Sequence, residues 1–191
     1  MPAEELELGE ILYVKFFADV NAQSANALMK TIDDAFNRGV RRYKLLLSTP
    51  GGLVFHGLSL YNYLAGLPIE LETHNFGSID SIGVCVYCAG RKRLSVPDAR
   101  FLLHPVSWTT QGAISWEMEK LQETMNSLRI DSRNIATSVA RATGKAEDEV
   151  IKAISDRTTL GPIDAKAFGL VHEIKAELVP PDARVISINA A

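Results

Sequence analysis

The sequence predicts an α/β domain with a largely parallel sheet, and three observations carry that reading. Short apolar runs alternate with helical patterns through the first half of the chain. Glycines close those patterns at Gly39, Gly66, Gly90, Gly144 and Gly169. No internal repeat, low-complexity tract or linker interrupts them. Strands that alternate with helices pair in parallel through right-handed crossovers, because each helix carries the chain back to the sheet's starting edge.

The elements follow in order. The run from Ile11 to Phe17 reads as a strand. Asn21 to Arg38 reads as a helix with Leu28, Met29, Ile32, Ala35 and Phe36 on one face. Tyr43 to Leu47 is a strand running into Ser48-Thr49-Pro50-Gly51-Gly52. His56 to Ala65 is helical, Glu70 to Asn75 alternates like a strand, and Ile82 to Ala89 is a short helix. Leu94 to Val96 and Phe101 to Leu103 are strands joined by a turn at Pro97-Asp98. In the long pattern that follows, Ile114, Met118, Leu121, Met125, Leu128, Ile135 and Val139 recur at spacings of three, four and seven. Glu147 to Ile154 and Pro162 to Phe168 are further helices, and the tail after Pro180-Pro181 holds one last short strand. The apolar stripe of the long helix must be buried, either on its own core or on a second copy of the chain.

Bulk properties exclude several classes. The 191 residues fit one domain, with 47% apolar and 23% charged residues and a net charge of −3. Arg91-Lys92-Arg93 and Arg41-Arg42 are too short to form a nucleic-acid footprint. The acidic start, Met-Pro-Ala-Glu-Glu, is not a signal peptide, and no apolar run reaches the ~18 residues a membrane span needs. Cytoplasm is therefore the expected compartment, with no membrane partner. Cys85 and Cys88 form a C-x-x-C inside an apolar run without a second ligand pair, so they read as buried thiols; no metal and no cofactor is expected.

Chemistry gathers at "GSIDSIGVCVYCAG". Ser81 stands at a strand-to-helix corner, where free backbone N–H groups favour negative charge. A serine needs a base and oxyanion donors to act as a nucleophile. The N–H of Ile82 is one natural donor, and Gly51-Gly52 offers a second loop that comes close to a ligand. Of His56, His74, His104 and His172, His104 leads, because it ends a strand where α/β sites gather. Asp156 and Asp164 are the candidate carboxylates for orienting the imidazole.

"STPGGLVFHGLSLY", "GSIDSIGV" with "CAG", "VPDARFLLHP" and "AISDRTTLGPIDAKAFGLVHEI" resemble, in series, the signatures of the Clp protease proteolytic subunit family. The likeness runs from about Ile11 to about Ile174. It implies a ClpP/crotonase-like fold of repeated β-β-α units with a projecting handle helix, over one domain spanning 1–191. Residues 1–10 would be a short N-terminal segment, about 110–144 the handle, and 175–191 a tail. It implies Ser81 as nucleophile, His104 as general base and Asp156 as orienting acid, with Gly52 and Ile82 supplying the oxyanion amides. Peptide or unfolded protein would bind as an added strand along Gly51, Leu53 and Val54 and the lead-in to the handle. The handles would stack heptameric rings of identical subunits around a chamber. The activity implied is that of a serine endopeptidase.

The sequence departs from the family pattern in several places. Asp80, rather than a small residue, precedes the nucleophile, and Pro105 follows the histidine where the family has glutamine. The loop after Cys88-Ala89-Gly90 is shorter. A one-residue shift makes Arg157 compete for the column of Asp156. The short segment before Ile11 weakens the expectation of an ATP-driven unfoldase partner. Two alternatives stand beside the peptidase: a non-catalytic ring subunit, which Asp80 would favour, and a crotonase-type acyl-CoA enzyme. A Ser/Lys dyad would need Lys92 or Lys120, and neither has a recognisable setting.

Overall fold

The computed structural model describes residues 11–108 and 117–189. The N-terminal segment 1–10, the lead-in to the handle and Ile114 lie outside the described residues. The chain runs β1 (Ile11–Phe17), α1 (Ala22–Asn37), β2 (Arg42–Thr49), α2 (Val54–Gly66), β3 (Glu70–Asp80), α3 (Ile82–Tyr87), β4 (Lys92–Ser95) and β5 (Arg100–Leu102). It continues through α4 (Met118–Thr143), α5 (Glu147–Ser155), β6 (Thr159–Leu160), α6 (Pro162–Phe168), β7 (Glu173–Ile174) and β8 (Val185–Asn189). The strands form one sheet in the order β6-β5-β3-β2-β1-β8, with β4 and β7 branching from β3. The β5–β6 pair is antiparallel; the other pairs are parallel.

The central strand is longer than its sequence pattern suggests. The alternation stops at Asn75, yet β3 continues to Asp80. Gly77 makes this possible: a Cβ there would come within 2.8 Å of Ser48 Oγ, the atom that accepts a hydrogen bond from Ser78 N–H at 3.2 Å. Strand β3 therefore forks. Its first half pairs with β4 (Glu72 opposite Lys92) and its second half with β5 (Asp80 opposite Leu102). The fork brings the end of β3 beside the end of β5.

Helix packing follows the apolar faces. In α1 the Asn21 side chain accepts the N–H of Ser24, and Ser24 Oγ accepts the N–H of Asn21, a reciprocal cap that fixes where the helix starts. One apolar cluster extends from Leu12 to Ile188. Buried Arg93 lies at its edge and donates to the carbonyls of Gly90, Ala142, Gly169 and Leu170. These carbonyls belong to the C-terminal ends of three helices, where the partial charge is negative and offsets a cation. Helix α4 spans 26 residues and buries Ala136, Ser138 and Val139 near its C-terminal end. Met118, Leu121 and Met125 stay exposed, so the first part of the stripe does not fold back on this chain's core.

Both cysteines are free and buried, and burial pushes each thiol up to about 12. A thiol that holds its proton so strongly is not a ready nucleophile at neutral pH.

Candidate active site

Strand β3 ends abruptly at Ser81, which has φ 59° and ψ −131° and leads directly into α3. A non-glycine residue with positive φ is strained, and such strain is known at strand-to-helix elbows that present a nucleophile. Neighbours hold the elbow on several sides. Ser81 N–H donates to Leu102 O at 2.8 Å, and Val84 N–H donates to Ser81 O at 3.1 Å. Gly57 of α2 lets Ile82 pack against it, and Gly83 lets Thr49 approach; a side chain at either position would collide. The Ser81 hydroxyl itself makes no hydrogen bond to any described residue.

Gly51 and Gly52 press against the elbow with φ of 90° and 148°. A Cβ at Gly51 would lie 2.6 Å from Ser81 Cβ and 2.8 Å from Asp80 O. Val20 clamps the pair from behind: its N–H donates to Gly51 O at 2.7 Å, and its carbonyl accepts from Leu53 N–H at 2.8 Å. This is a parallel bridge between Val20 and Gly52. In such a bridge the N–H and C=O of the bridged residue point away from the partner. The N–H of Gly52 therefore faces outward, without an acceptor among the described residues. The N–H of Ile82, as the first residue of α3, has no acceptor inside its helix. Leu53 is exposed and Val54 half-buried, so the edge continuing from Gly52 is accessible.

His104 follows β5, two residues past the position paired with Asp80. It lines the same cavity as Ser81, a space of about 20 Å³, and no hydrogen bond joins the two side chains. His104 Nδ1 lies 2.9 Å from Pro105 O. A carbonyl oxygen can only accept, so Nδ1 is the donor in this contact, and in the neutral tautomer it fixes, Nε2 is the nitrogen open to accept a proton.

The structure does not bring Asp156 to that imidazole. Asp156 caps the C-terminal end of α5, and its exposed carboxylate pairs with Lys152 one helical turn earlier. The loop itself does reach the site, since Thr158 O accepts Leu103 N–H at 2.9 Å. Arg157, the competing residue, is exposed with φ 55°. Asp80 neither caps α3 nor stands free. Its Oδ2 accepts from Arg100 Nη2 at 2.8 Å, and its Oδ1 from Ser78 Oγ at 2.7 Å. The Arg100 guanidinium thus offsets the charge that would oppose an oxyanion next door.

Sequence reasoning missed the Pro105 carbonyl, the Arg100 partner of Asp80 and the Val20 clamp. Every residue has a carbonyl, so nothing marks Pro105. Arg100 and Val20 become neighbours of the site only once strand register is known. Among the described residues no cluster of three His, Cys, Asp or Glu side chains is placed to hold a metal ion, and no helix is long and apolar enough to cross a membrane.

A family model described as Clp protease matches residues 11–177. The ATP-dependent Clp protease proteolytic subunit 3 of Rhizobium meliloti (strain 1021) is 32% identical over 139 residues. That match covers 69% of this chain and 66% of the relative, so the chain spans just under two thirds of the relative's length. Among solved structures, a point mutant of ClpP1 from Listeria monocytogenes superposes with a TM-score of 0.78 at 19% identity. That superposition covers 86% of this chain and 91% of the other, a likeness of fold.

Proposed function

This chain belongs to the Clp protease family, and from that premise we propose that it is a serine endopeptidase whose Ser81 hydroxyl attacks a peptide carbonyl. The observation that carries the reading is the convergence of a strained, unbonded Ser81 with His104 on one cavity, beside two uncommitted backbone donors. His104 Nε2 accepts the hydroxyl proton as the C–O bond forms. The N–H groups of Gly52 and Ile82 take up the oxyanion, and each such donor is worth ~10²–10³ in turnover. The same nitrogen returns its proton to the leaving amine, and water then releases the acyl group by the reverse path.

The Pro105 carbonyl takes the part expected of Asp156. It holds the imidazole in the tautomer a general base needs. A neutral carbonyl does not balance the imidazolium charge as a carboxylate does, so turnover is slower than in a full triad. Substrate backbone pairs along Gly51, Gly52, Leu53 and Val54 as an added strand, using the outward groups of Gly52.

The exposed stripe of α4 supports a homo-oligomer in which handles from facing copies cover Met118, Leu121 and Met125. Stacked heptameric rings in the cytoplasm, formed from one domain spanning 1–191, are the family's arrangement and the one proposed here. An unfoldase partner is not needed for peptides.

Peptide hydrolysis by the native assembly tests the reading. Ser81→Ala is expected to bring kcat to background, a loss smaller than the ~10⁶-fold of a full triad because no carboxylate supports His104. Undiminished hydrolysis in that variant would assign the activity to another residue. No hydrolysis by the unaltered chain would leave an assembly subunit.

A further inference from the structure

We propose that this site cleaves after small residues, with alanine the largest side chain it takes on the acyl side of the scissile bond; the proposal rests on the peptidase reading above. The space beside Ser81 and His104 is about 20 Å³. That is room for about one water molecule or one methyl group. Apart from the two reacting side chains its lining is apolar, supplied by residues such as Val54, Val84, Leu103, Ile135, Val139 and Ile154. An acyl-side residue must place its side chain next to the attacked carbonyl, and therefore in or against this space.

The walls do not yield easily. Val84, Leu103, Val139 and Ile154 are buried and belong to the apolar cluster that joins α3, α4 and α5 to the sheet. Enlarging the space would move packed helices against each other, which close-packed interiors resist. Ile135, on α4, is half-buried, so its removal disturbs the core less than that of the buried walls. A methylene more or less in an apolar pocket changes kcat/KM by about 10–200-fold. Leucine carries three more carbons than alanine, so its rejection reaches at least the lower end of that range. Glycine leaves the space unfilled and falls below alanine by about the value of one methyl.

The test uses the native assembly and a set of peptides identical except for Gly, Ala, Leu or Phe on the acyl side. In parallel it uses peptidyl phosphonate esters with the same four residues, whose labelling of Ser81 reports fit without turnover. Alanine is expected to lead both series by at least about 10-fold over leucine, with phenylalanine undetected. Ile135→Ala is expected to raise the leucine-to-alanine ratio about 10-fold or more. Should that variant fail to fold, Ile135→Val is expected to raise the ratio a few-fold. Labelling of Ser81 that is as fast with leucine or phenylalanine as with alanine overturns the size limit while leaving the hydrolase intact. So does an unchanged ratio in a folded Ile135 variant. No labelling of Ser81 by any phosphonate overturns the peptidase reading, and the size limit with it.

Discussion

Charge is abundant and paired at the N-terminal ends of β2, β3 and β4, and sparse at the ends of β2, β3 and β5 that hold the candidate site. At the first end Lys44 meets Glu72 at 2.8 Å, Glu72 reaches Lys92 at 3.8 Å, and Lys92 meets Glu173 at 3.1 Å. Arg42 and Glu70 pair above them at 3.3 Å. The register dictates this row, since Lys44 lies opposite Glu72 and Glu72 opposite Lys92. The Glu173 carboxylate pushes the Lys92 ammonium up, and Lys92 in turn holds Glu173 down. At the other end Asp80 and Arg100 neutralise each other, and the cavity beside them is walled by apolar side chains. One end meets its polar groups with side-chain partners. The other leaves the N–H groups of Gly52 and Ile82 without a protein acceptor among the described residues, available to a ligand.

The largest effect expected from breaking this contrast is at the glycine pair. Gly51→Ala places a Cβ 2.6 Å from Ser81 Cβ on a backbone with φ of 90°. The elbow must shift, and a misplacement of about 1 Å costs about 10²-fold in turnover. Stability falls as well, by roughly 1–3 kcal/mol. Peptide hydrolysis and denaturant unfolding check the two parts; a fully active variant would show that the elbow is not built on this contact.

At the charged end the same logic reverses. Glu72→Gln removes the carboxylate facing Lys44, whose side chain is 11% exposed. The expected loss is about 1–3 kcal/mol of stability, with the Ser81 labelling rate unchanged. A rate that fell with stability intact would mean that the two ends are coupled.

A smaller, pH-dependent effect comes from His74, midway along β3. Its Nε2 lies 2.9 Å from Lys175 O, while buried Nδ1 has no partner among the described residues. Burial holds its pKa below the ordinary histidine value, and Lys44 adds to the depression. Folded His74 therefore stays neutral while the unfolded chain takes up a proton below pH ~6.5. Stability is unaffected above that pH. Below it, stability falls with a slope of up to ~1.4 kcal/mol per pH unit, until the folded pKa is reached. Denaturant midpoints between pH 7 and 5 should lose this slope in His74→Gln; an unaltered slope would assign it elsewhere.

Much of the architecture is legible in the sequence. Periodicity and glycine stops locate all six helices among the described residues, and α6 matches its expected bounds, Pro162–Phe168. The extension of β3 to Asp80 was not legible, because Gly77 reads as a turn until Ser48 is seen beside it. Strand β6, with two residues, is too short to carry a pattern and exists through its pairing with β5. At the site, the corner and strand-end positions of Ser81 and His104 were readable, and the structure sets both on one cavity. What holds His104 was not readable. An aspartate stands out in a sequence, whereas a main-chain carbonyl does not, so Asp156 drew the inference although its carboxylate faces Lys152.

The rate of Ser81 labelling by a fluorophosphonate, measured side by side in the unaltered chain, His104→Ala and Asp156→Asn, tests most directly whether hydrolysis here proceeds without an aspartate. The unaltered chain and Asp156→Asn are expected to label within about 3-fold of each other, while His104→Ala loses about 10²–10⁴-fold. Asp156→Asn labelling as slowly as His104→Ala, or no labelling of the unaltered chain at all, would rule out hydrolysis without an aspartate.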